Sequence, residues 1–567
     1  MRILSLHDGH NAAAALIENG SVIFAIQEER LTNLKNFFGF PKNSVAYILQ
    51  KFNLSPSHID KIVLSTHFIS APMDSKKVSR HFGWQGTPFA LIVKKISKLR
   101  PLQVLREKKS KKRRINILSG IGFPREKIEF TDHHSAHAAS AYYGLARNPS
   151  KKYLILTLDG GGDWLCATVS IAQNGKINRI AETPYGHSIG DIYSRITYMM
   201  GFTPWEHEYK LMGMAPYTSR EHSRKIADIL HRYIDLDPHN NLIFKKKIFE
   251  DTNHILPRLE RDLKRQRFDN IAGGVQLFTE EVILRWVRAC IAKTGIHDLL
   301  AGGGVFMNIK ANKLISELPE IDTFEVFPSC GDESNIFGGG WIVSKSNGEN
   351  PKPINNYYFG PSFSDTETES ILRREHAEGY FTYTKKENIN EFVAELLAKG
   401  NIVARASGHM EFGARALGNR SIFADPSLQN VVPIINALIK SRDFWMPFAP
   451  IALADKSEKY IKNEKRLRSP YMMMGFDTTE KRNDIVAGLH PADKSARMQL
   501  LERDQNPDVK SILEKFEQKT GRAALLNTSF NLHGYPIVFG PQEALYVFKN
   551  SGLLHLVIGN YYLSKNE

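Results

Sequence analysis

One arrangement of strands occurs twice in the first third of this chain. Residues 2–6 (RILSL) form a candidate strand, followed by a polar loop, an apolar stretch, the turn Asn19-Gly20 and a third apolar stretch. From residue 153 a strand, the loop DGGGD, a strand, the turn Asn174-Gly175 and a strand follow in the same order. Asn-Gly between apolar runs is a strong hairpin signal. Because the order of loops and turns matches, we predict an internal duplication rather than two unrelated hairpins.

Length and composition indicate more than one domain. The chain has 567 residues, 42% of them hydrophobic, which exceeds what one hydrophobic core usually organises. Residues 346–365 are rich in Asn, Pro, Ser and Gly, as expected of a linker. We therefore predict an N-terminal domain over residues 1–350 and a C-terminal domain over residues 351–567.

Charge and cysteine usage restrict the environment and the partners. The formal charge of +15 favours anionic partners such as nucleotides or phosphorylated substrates. Three widely spaced cysteines, no apolar run of membrane-spanning length and no signal-like N-terminus favour a cytoplasmic protein. The basic tract Lys94–Arg114 could bind a polyanion or form a solvated surface. It contains no aromatic residues that could stack on bases, which favours the solvated surface.

The segment Thr131–Tyr143 (TDHHSAHAASAYY) carries a pair of histidines with helical spacing. His133 and His137 are four residues apart, so on a helix both rings project from one face. Such a pair can bind one metal ion, or it can be buried and hydrogen-bonded without any ion. A metal would also need carboxylates. Asp159 follows a predicted strand, and Asp332 precedes a glycine-rich helix, so both are candidates for a site that suits Fe(II), Mn or Zn.

Candidate anion-binding groups occur in both halves of the chain. Lys210 precedes small residues, and a glycine triplet in residues 301–308 follows a predicted strand. In the second half, cations and neutral donors lie among glycines and at strand ends, which suits a phosphate-rich ligand. Surface ion pairs are the alternative for any one of these cations. The candidates are Arg415, Arg420, Lys440, Arg442, Arg497, Asn527, Thr528, Ser529 and Asn531.

Seven motifs resemble one enzyme family, in order and over nearly the whole chain. They are HNAAAALIENG, EER, HHSAHAASAYY, EYKLMGMAPY, MEFGARALGNRS, MPFAP and NTSFN. Together they resemble the NodU/CmcH-type O-carbamoyltransferases, the family that includes the tobramycin carbamoyltransferase. The resemblance implies an α/β chain with a duplicated actin/sugar-kinase/Hsp70-like N-terminal domain, of the threonylcarbamoyladenosine branch, and a YrdC-like C-terminal domain. It also implies that carbamoyl phosphate and ATP give carbamoyl-adenylate and pyrophosphate, and that the carbamoyl group then passes to an acceptor hydroxyl.

The resemblance also assigns roles to residues of this chain. His10 would be the general base, acting on the acceptor hydroxyl. The family's iron would be held by His133, His137, Asp159 and Asp332, although another divalent metal is also compatible with this set. The adenylate would contact Lys210, Gly302, Gly303, Gly304 and Asn308. Carbamoyl phosphate and ATP, with magnesium, would contact Lys440, Arg497 and Ser529, with Arg415, Arg420, Arg442 and Asn527 as further candidates.

The implied acceptor is a small molecule or glycan with a sugar hydroxyl, without nucleic acid or a membrane span, and a homodimer is compatible. The chain departs from the family pattern at Asn11, His409, Ala414, Met446 and Tyr535. Two of these positions usually carry arginine, so a silent nucleotide-binding scaffold is one alternative. A transfer RNA modification enzyme of the threonylcarbamoyladenosine type is another, because the net charge is positive, although the fused C-terminal half argues against it.

Overall fold

A computed structural model divides the chain into two compact units. The first contains residues 1–28 and 36–354, and the second contains residues 29–35 and 355–567. No helix among the described residues is both long and apolar enough to cross a membrane. The structure describes residues 1–69, 75–85, 87, 100–376 and 379–565. The part of the basic tract at residues 94–99 lies outside these ranges.

The first unit contains two five-stranded sheets and a hairpin. The first sheet has the order β3-β2-β1-β4-β5, the second has the order β12-β11-β6-β7-β8, and β9 pairs with β10. The strands are β1 (Arg2–His7), β2 (Ala13–Glu18), β3 (Ser21–Gln27), β4 (Lys61–Leu64), β5 (Ile128–Phe130), β6 (Tyr153–Gly162), β7 (Leu165–Gln173), β8 (Lys176–Pro184), β9 (Ile234–Asp237), β10 (Asn240–Lys246), β11 (Asp298–Gly302) and β12 (Thr323–Val326).

The two sheets repeat one topology. In the first sheet, β1, β2 and β3 form an antiparallel meander, β1 also pairs in parallel with β4, and β4 pairs in parallel with β5. In the second sheet, β6, β7 and β8 form the meander, β6 pairs in parallel with β11, and β11 pairs in parallel with β12. Asn19-Gly20 and Asn174-Gly175 both have positive φ at both positions, as a tight hairpin turn requires. The predicted duplication and the actin/Hsp70-like class of this unit are therefore confirmed.

The helices cover the sheets and carry part of the candidate site. The histidine segment forms a helix two residues later than the predicted segment, at residues 133–145. The helices of the described residues are α1 (Glu28–Thr32), α2 (Lys42–Lys51), α3 (Ser75–Gln85), α4 (Arg100–Ile121), α5 (His133–Leu145), α6 (Ile189–Met199), α7 (Glu208–Met214), α8 (Arg220–His231), α9 (Leu256–Asp262), α10 (Phe268–Thr294), α11 (Ile309–Ser316), α12 (Asn335–Ser346), α13 (Asp365–His376), α14 (Ile389–Ala398), α15 (Val431–Ile435), α16 (Pro507–Thr520) and α17 (Pro541–Lys549).

Helices α5 and α12 approach each other backbone to backbone. The Gly338 N–H donates to Ser140 Oγ at 3.0 Å, and that hydroxyl donates to the Ser334 carbonyl at 2.8 Å. A Cβ atom at Gly338 would overlap the carbonyl oxygen of Ala136. Small residues at this contact therefore fix where the histidine helix lies.

The second unit is a mixed eight-stranded sheet covered by helices. Its order is β13-β20-β19-β14-β15-β18-β16-β17. Neighbouring residues of one strand, such as Val403 and Ala404, belong to separate apolar clusters, because alternate side chains point to opposite faces. The strands are β13 (Thr382–Lys385), β14 (Val403–Ala406), β15 (Arg420–Ala424), β16 (Ala449–Leu453), β17 (Gln499–Leu501), β18 (Ala524–Ser529), β19 (His555–Ile558) and β20 (Tyr561–Ser564).

The close helix contact predicts a large effect of one added methyl group. We expect Gly338→Ala to lower the free energy of unfolding by about 1–3 kcal/mol, because a backbone carbonyl cannot rotate away as a side-chain tip can. Gly120→Ala in α4 is the matched control, since a Cβ there meets nothing within 4 Å. It should leave stability unchanged or raise it by about 0.5–1 kcal/mol. Calorimetric unfolding of both variants would measure this, and equal melting curves would contradict the role given to the contact.

Candidate metal centre and anion site

Two aspartates fix the start of the histidine helix. Asp132 is the N-cap, and its carboxylate accepts from the Ser135 N–H at 2.7 Å. Asp163 directly follows β6, which extends through most of the predicted DGGGD loop as far as Gly162. Its carboxylate accepts from the His133 N–H at 2.9 Å and from the backbone N–H groups of His67 and Phe68. Carboxylates satisfy the otherwise unpaired N–H groups of a helix start and interact favourably with its dipole. The end of β6 and the helix start are thereby held together.

Two imidazoles and two carboxylates meet beside this helix. His137 Nε2 lies 3.2 Å from Asp159 Oδ2 and 3.7 Å from Asp332 Oδ1, and His133 Nε2 lies 3.5 Å from each of the same atoms. One ligand atom from each of the four residues lies within 4.8 Å of every other. Residues distant in sequence therefore form one candidate metal site.

The third histidine of the segment is directed away from this cluster. The ring of His134 is fully buried, and its Nδ1 lies 2.8 Å from Thr157 Oγ1 on strand β6. The helical spacing of four residues places His133 and His137 together and leaves His134 facing the sheet. Of the two alternatives for this segment, His133 and His137 fit a metal-binding pair, and His134 is a buried, hydrogen-bonded ring.

The glycine triplet predicted to contact an adenylate adjoins the same cluster. A Cβ at Gly302 would lie 3.0 Å from the His137 carbonyl oxygen, and one at Gly304 would lie 3.3 Å from Asp159 Oδ1. Gly303 has φ of 99°, which side chains rarely adopt, and a Cβ there would overlap the Leu158 carbonyl. Glycine at these positions lets the loop lie directly against the metal-site residues.

Burial and opposite charges act against each other in this cluster. Burial alone would lower the pKa of His133, but the carboxylates of Asp332 and Asp159 outweigh it and raise that pKa to about 9. Burial would raise the pKa of Asp159, and hydrogen bonding to the two imidazoles instead holds it well below its usual range. Both carboxylates are therefore kept ionised, which a metal ligand requires.

The donor set fits a divalent transition metal. Imidazole nitrogen and carboxylate oxygen bind such ions at about 2.0–2.2 Å, so ligand atoms around one ion lie roughly 3–4 Å apart. The four separations above, 3.2 to 3.7 Å, fall in that range. The residues can therefore hold one ion, and the donor chemistry allows Fe(II), Mn or Zn.

The predicted general base stands among aromatic rings. His10 is half-buried, its backbone forms a bridge with Phe38, and its ring centroid lies 6.0 Å from that of Trp205. Trp205 has φ of 65°, an unusual backbone conformation for a bulky residue, and its backbone N–H donates to the partly buried Glu208 carboxylate at 2.7 Å. The backbone of the wall beside His10 is thus held by a partly buried hydrogen bond.

The side chains of the other two predicted adenylate contacts, Lys210 and Asn308, lie in different surroundings. Lys210 lies on α7, with Nζ 5.3 Å from the centroid of the Phe202 ring. The Asn308 side chain is engaged within the fold: its Oδ1 accepts from the Ala311 N–H at the start of α11, and its amide exchanges hydrogen bonds with Gln276. Lys210 is partly exposed.

In the second unit, several predicted anion-binding groups come together. Lys440 is only 2% exposed, and its ammonium donates to Ser529 Oγ at 3.1 Å and to Asn531 Oδ1 at 2.7 Å. Arg442 Nη2 donates to Thr528 Oγ1 at 3.1 Å. Burial, followed by the charges of Arg442 and Lys35, holds the pKa of Lys440 well below its usual value. A buried lysine beside two cations and neutral oxygens is suited to an anion.

The remaining candidates of the second unit are placed differently. Arg420 is fully buried, and its guanidinium donates to five backbone carbonyls, of Phe539, Ser407, Gly408, Asn419 and Pro361. These contacts tie the side chain into the fold, and its assignment as a phosphate contact stays a prediction. Arg497 donates from Nε to the Met472 carbonyl, Asn527 donates to the Ala416 carbonyl and Gln499, and Arg415 is partly exposed.

Three functional neighbours were missed in the sequence. His7 was assigned to a polar loop, but β1 extends to it and buries it. Asp163 and Asn335 lie against the histidine helix, with Asn335 Nδ2 3.2 Å from His137 Nε2. The signal for Asp163 was its place at the end of DGGGD, the loop that also contains Asp159. For Asn335, its position at the start of the glycine-rich helix offers only a weak signal.

Comparison with known proteins covers both units. The carbamoyltransferase N-terminus family model matches residues 2–340, and the carbamoyltransferase C-terminus family model matches residues 394–565. Protein MJ1051 of Methanocaldococcus jannaschii is 30% identical over 99% of this chain and 99% of its own length. Protein sll1178 of a Synechocystis strain is 30% identical over 98% of this chain and 95% of its own. Nodulation protein NolNO of Sinorhizobium fredii is 27% identical over 98% and 79%.

The geometry of the four-residue cluster predicts which histidine matters for metal binding. We expect His137→Ala to weaken Co(II) binding at least tenfold, because one of four ligands is lost. His134→Ala is the matched control on the same helix and should bind Co(II) as the wild type does, although it loses the contact with Thr157. Titration of metal-stripped protein, followed by visible absorption, measures both. Equal loss in the two variants would mean that helix integrity, rather than ligation, governs binding.

Proposed function

The chain belongs to the carbamoyltransferase family, and from this we propose that it is an ATP-dependent O-carbamoyltransferase working in two steps. Carbamoyl-adenylate would be formed in the second unit and used in the first. The proposed acceptor is a hydroxyl of a sugar-containing compound: a glycan, an antibiotic or another secondary metabolite. The observation that carries the proposal is the buried Lys440, which contacts neutral oxygens and has no carboxylate partner among the described residues.

In the first step, water would cleave carbamoyl phosphate to carbamate and phosphate. A carbamate oxygen would then attack the α-phosphorus of ATP, and the bond to pyrophosphate would break, giving carbamoyl-adenylate. Lys440 and Arg442 would bind the phosphate oxygens of the anionic substrates, and the hydroxyls of Thr528 and Ser529 would orient them. Arg497 and Arg415 are further proposed contacts, and magnesium would accompany ATP.

The positions at which this chain departs from the family pattern leave the proposed phosphate-binding cations in place. Met446 stands where the family has arginine, but Arg442 lies four residues earlier and already reaches Thr528. His409 also replaces arginine, and its ring Nδ1 lies 3.0 Å from the Gly360 carbonyl. Cations thus remain at the strand end even though two arginines are absent. This supports an active enzyme over a silent scaffold.

In the second step, the acceptor hydroxyl would lose its proton to His10. The acceptor oxygen would attack the carbamoyl carbon, and the bond from that carbon to the adenylate oxygen would break, releasing AMP. His133, His137, Asp159 and Asp332 would hold the metal, for which we propose Fe(II). When bound, the ion supplies Lewis-acid polarisation of the carbamoyl carbonyl. Lys210 and the Gly302–Gly304 backbone would position the adenylate, and Trp205 and Phe38 would shield His10 from bulk water.

The depressed pKa of Lys440 predicts how substrate affinity changes with pH. A lysine with a lowered pKa loses its charge at a lower pH than usual, so carbamoyl phosphate should bind more weakly as pH rises, by at most about tenfold per pH unit. Arginine stays charged in this range. Lys440→Arg should therefore lack this loss of affinity, and subtracting its profile removes the ligand's own titration. Isothermal titration from roughly pH 6 to 10 tests this. Parallel profiles for the two proteins would contradict it.

Separate partial reactions test the division of labour. Wild-type protein with ATP, carbamoyl phosphate, magnesium and anaerobic Fe(II) should release pyrophosphate. Lys440→Met should lose that release, by about a hundredfold or more, and keep its metal affinity, because the charge that holds the substrate is gone. His10→Asn should keep pyrophosphate release and lose transfer to glycerol or methyl glucoside, followed by mass spectrometry, because the base is gone.

The outcomes separate the alternatives. Absence of pyrophosphate release from the wild type would overturn the proposed first step. Unchanged transfer in His10→Asn would overturn the assignment of the base while leaving the first step intact. Arg420→Lys is a control for folding in the second unit, because it removes hydrogen bonds to backbone carbonyls. We expect it to lower the melting temperature while the folded protein keeps its affinity for carbamoyl phosphate.

A further inference from the structure

One buried imidazole near the metal centre has no assigned role. His7 is the last residue of β1, its side chain is 1% exposed, and neither ring nitrogen has a hydrogen-bond partner among the residues that the structure describes. Buried polar groups are nearly always paired, and leaving one unpaired is costly. An apolar side chain would occupy the end of a buried strand without that cost. The imidazole therefore calls for a functional explanation.

The position of the ring supplies one. His7 Nε2 lies 3.6 Å from Asp332 Oδ2, whereas Asp332 Oδ1 lies 3.5 Å from His133 Nε2 and 3.7 Å from His137 Nε2. The two oxygens of one carboxylate thus have different neighbours: one approaches the metal-site histidines and the other approaches His7. His7 itself lies outside the four-residue cluster.

The chain leaves room for this ring at a specific point. A Cβ atom at Gly9 would lie 2.6 Å from His7 Nε2, closer than real Cβ contacts occur. Position 9 therefore has to be glycine, or the ring must move. The loop from His7 to His10 consequently places one imidazole against Asp332 and leaves the other, His10, half-buried among aromatic rings.

We propose that His7 is a positioning residue that holds Oδ2 of Asp332, so that Asp332 offers the metal a single oxygen. The inference rests on the metal centre of the proposed function. A ring N–H that faces one carboxylate oxygen, here 3.6 Å away and closing to a hydrogen bond when Asp332 binds the ion, would fix the orientation of the ligand and keep that oxygen from becoming a second ligand atom. His7 does not contact the reacting atoms, and it acts through Asp332.

The test uses the full-length protein, stripped of metal and titrated with Co(II). His7→Leu should bind Co(II) about 10–100-fold more weakly, the usual effect of losing such a partner. His7→Gln places an amide N–H near the original Nε2 and should recover most of the affinity. His7→Asn places its amide nearer the original Nδ1 and should not. The visible spectrum of bound Co(II) should also change in His7→Leu and His7→Asn, because a carboxylate that binds through two oxygens raises the coordination number.

Each result decides between defined outcomes. Wild-type protein that binds no Co(II) would overturn the metal centre itself, and the inference with it. Wild-type binding with equal affinity and spectrum in His7→Leu would overturn the inference alone. If His7→Leu does not fold, the comparison of His7→Gln with His7→Asn decides, since both bury an amide of similar polarity. Equal affinities in those two would then overturn the proposal. His134→Leu controls for removing a buried imidazole near the site and should leave Co(II) affinity unchanged.

Discussion

The candidate metal centre depends on holding two partly buried carboxylates of the first unit beside two buried imidazoles. Burial would raise the pKa of Asp159 and Asp332, and the imidazoles that lie against them, chiefly His133 and His137, lower it instead. These groups come from a strand, a loop and a helix, so the cluster requires that all three elements meet. The backbone contact at Gly338 and the carboxylate of Asp163 enforce that meeting from two sides of the helix. Much of the local architecture can be understood as support for four side chains.

The second unit solves the opposite electrostatic problem. Lys440 and Arg442 are like charges at one strand end, and the oxygens that contact Lys440 are neutral. Arg420 is also a buried cation, and each of its three guanidinium nitrogens donates to a backbone carbonyl. Arg442, by contrast, donates to the Thr528 hydroxyl as well as to the Pro447 carbonyl. Residue type alone therefore does not distinguish these two environments.

Local pattern was sufficient for the repeated strands, the two Asn-Gly turns and the histidine helix. Their signals are periodicity and turn chemistry, which act between residues close in sequence. The placement of Asp332 beside His133, and the burial of His7, depend on tertiary packing between distant segments. His7 looked like a loop residue because polar side chains at a strand end are usually solvated. Likewise, the pattern could not predict that residues 29–35 group with the second unit.

The duplicated sheets have a consequence for how this chain can vary. At the end of the first strand of each meander the two copies differ: the segment from His7 to His10 carries histidines, and the segment from Asp159 to Asp163 carries glycines. Two copies of one scaffold have thus acquired separate tasks, side-chain chemistry in one and close backbone approach in the other. Substitutions in either segment are therefore judged by different rules. Volume is what the glycine segment cannot tolerate, whereas the histidine segment is sensitive to the identity of its ring nitrogens.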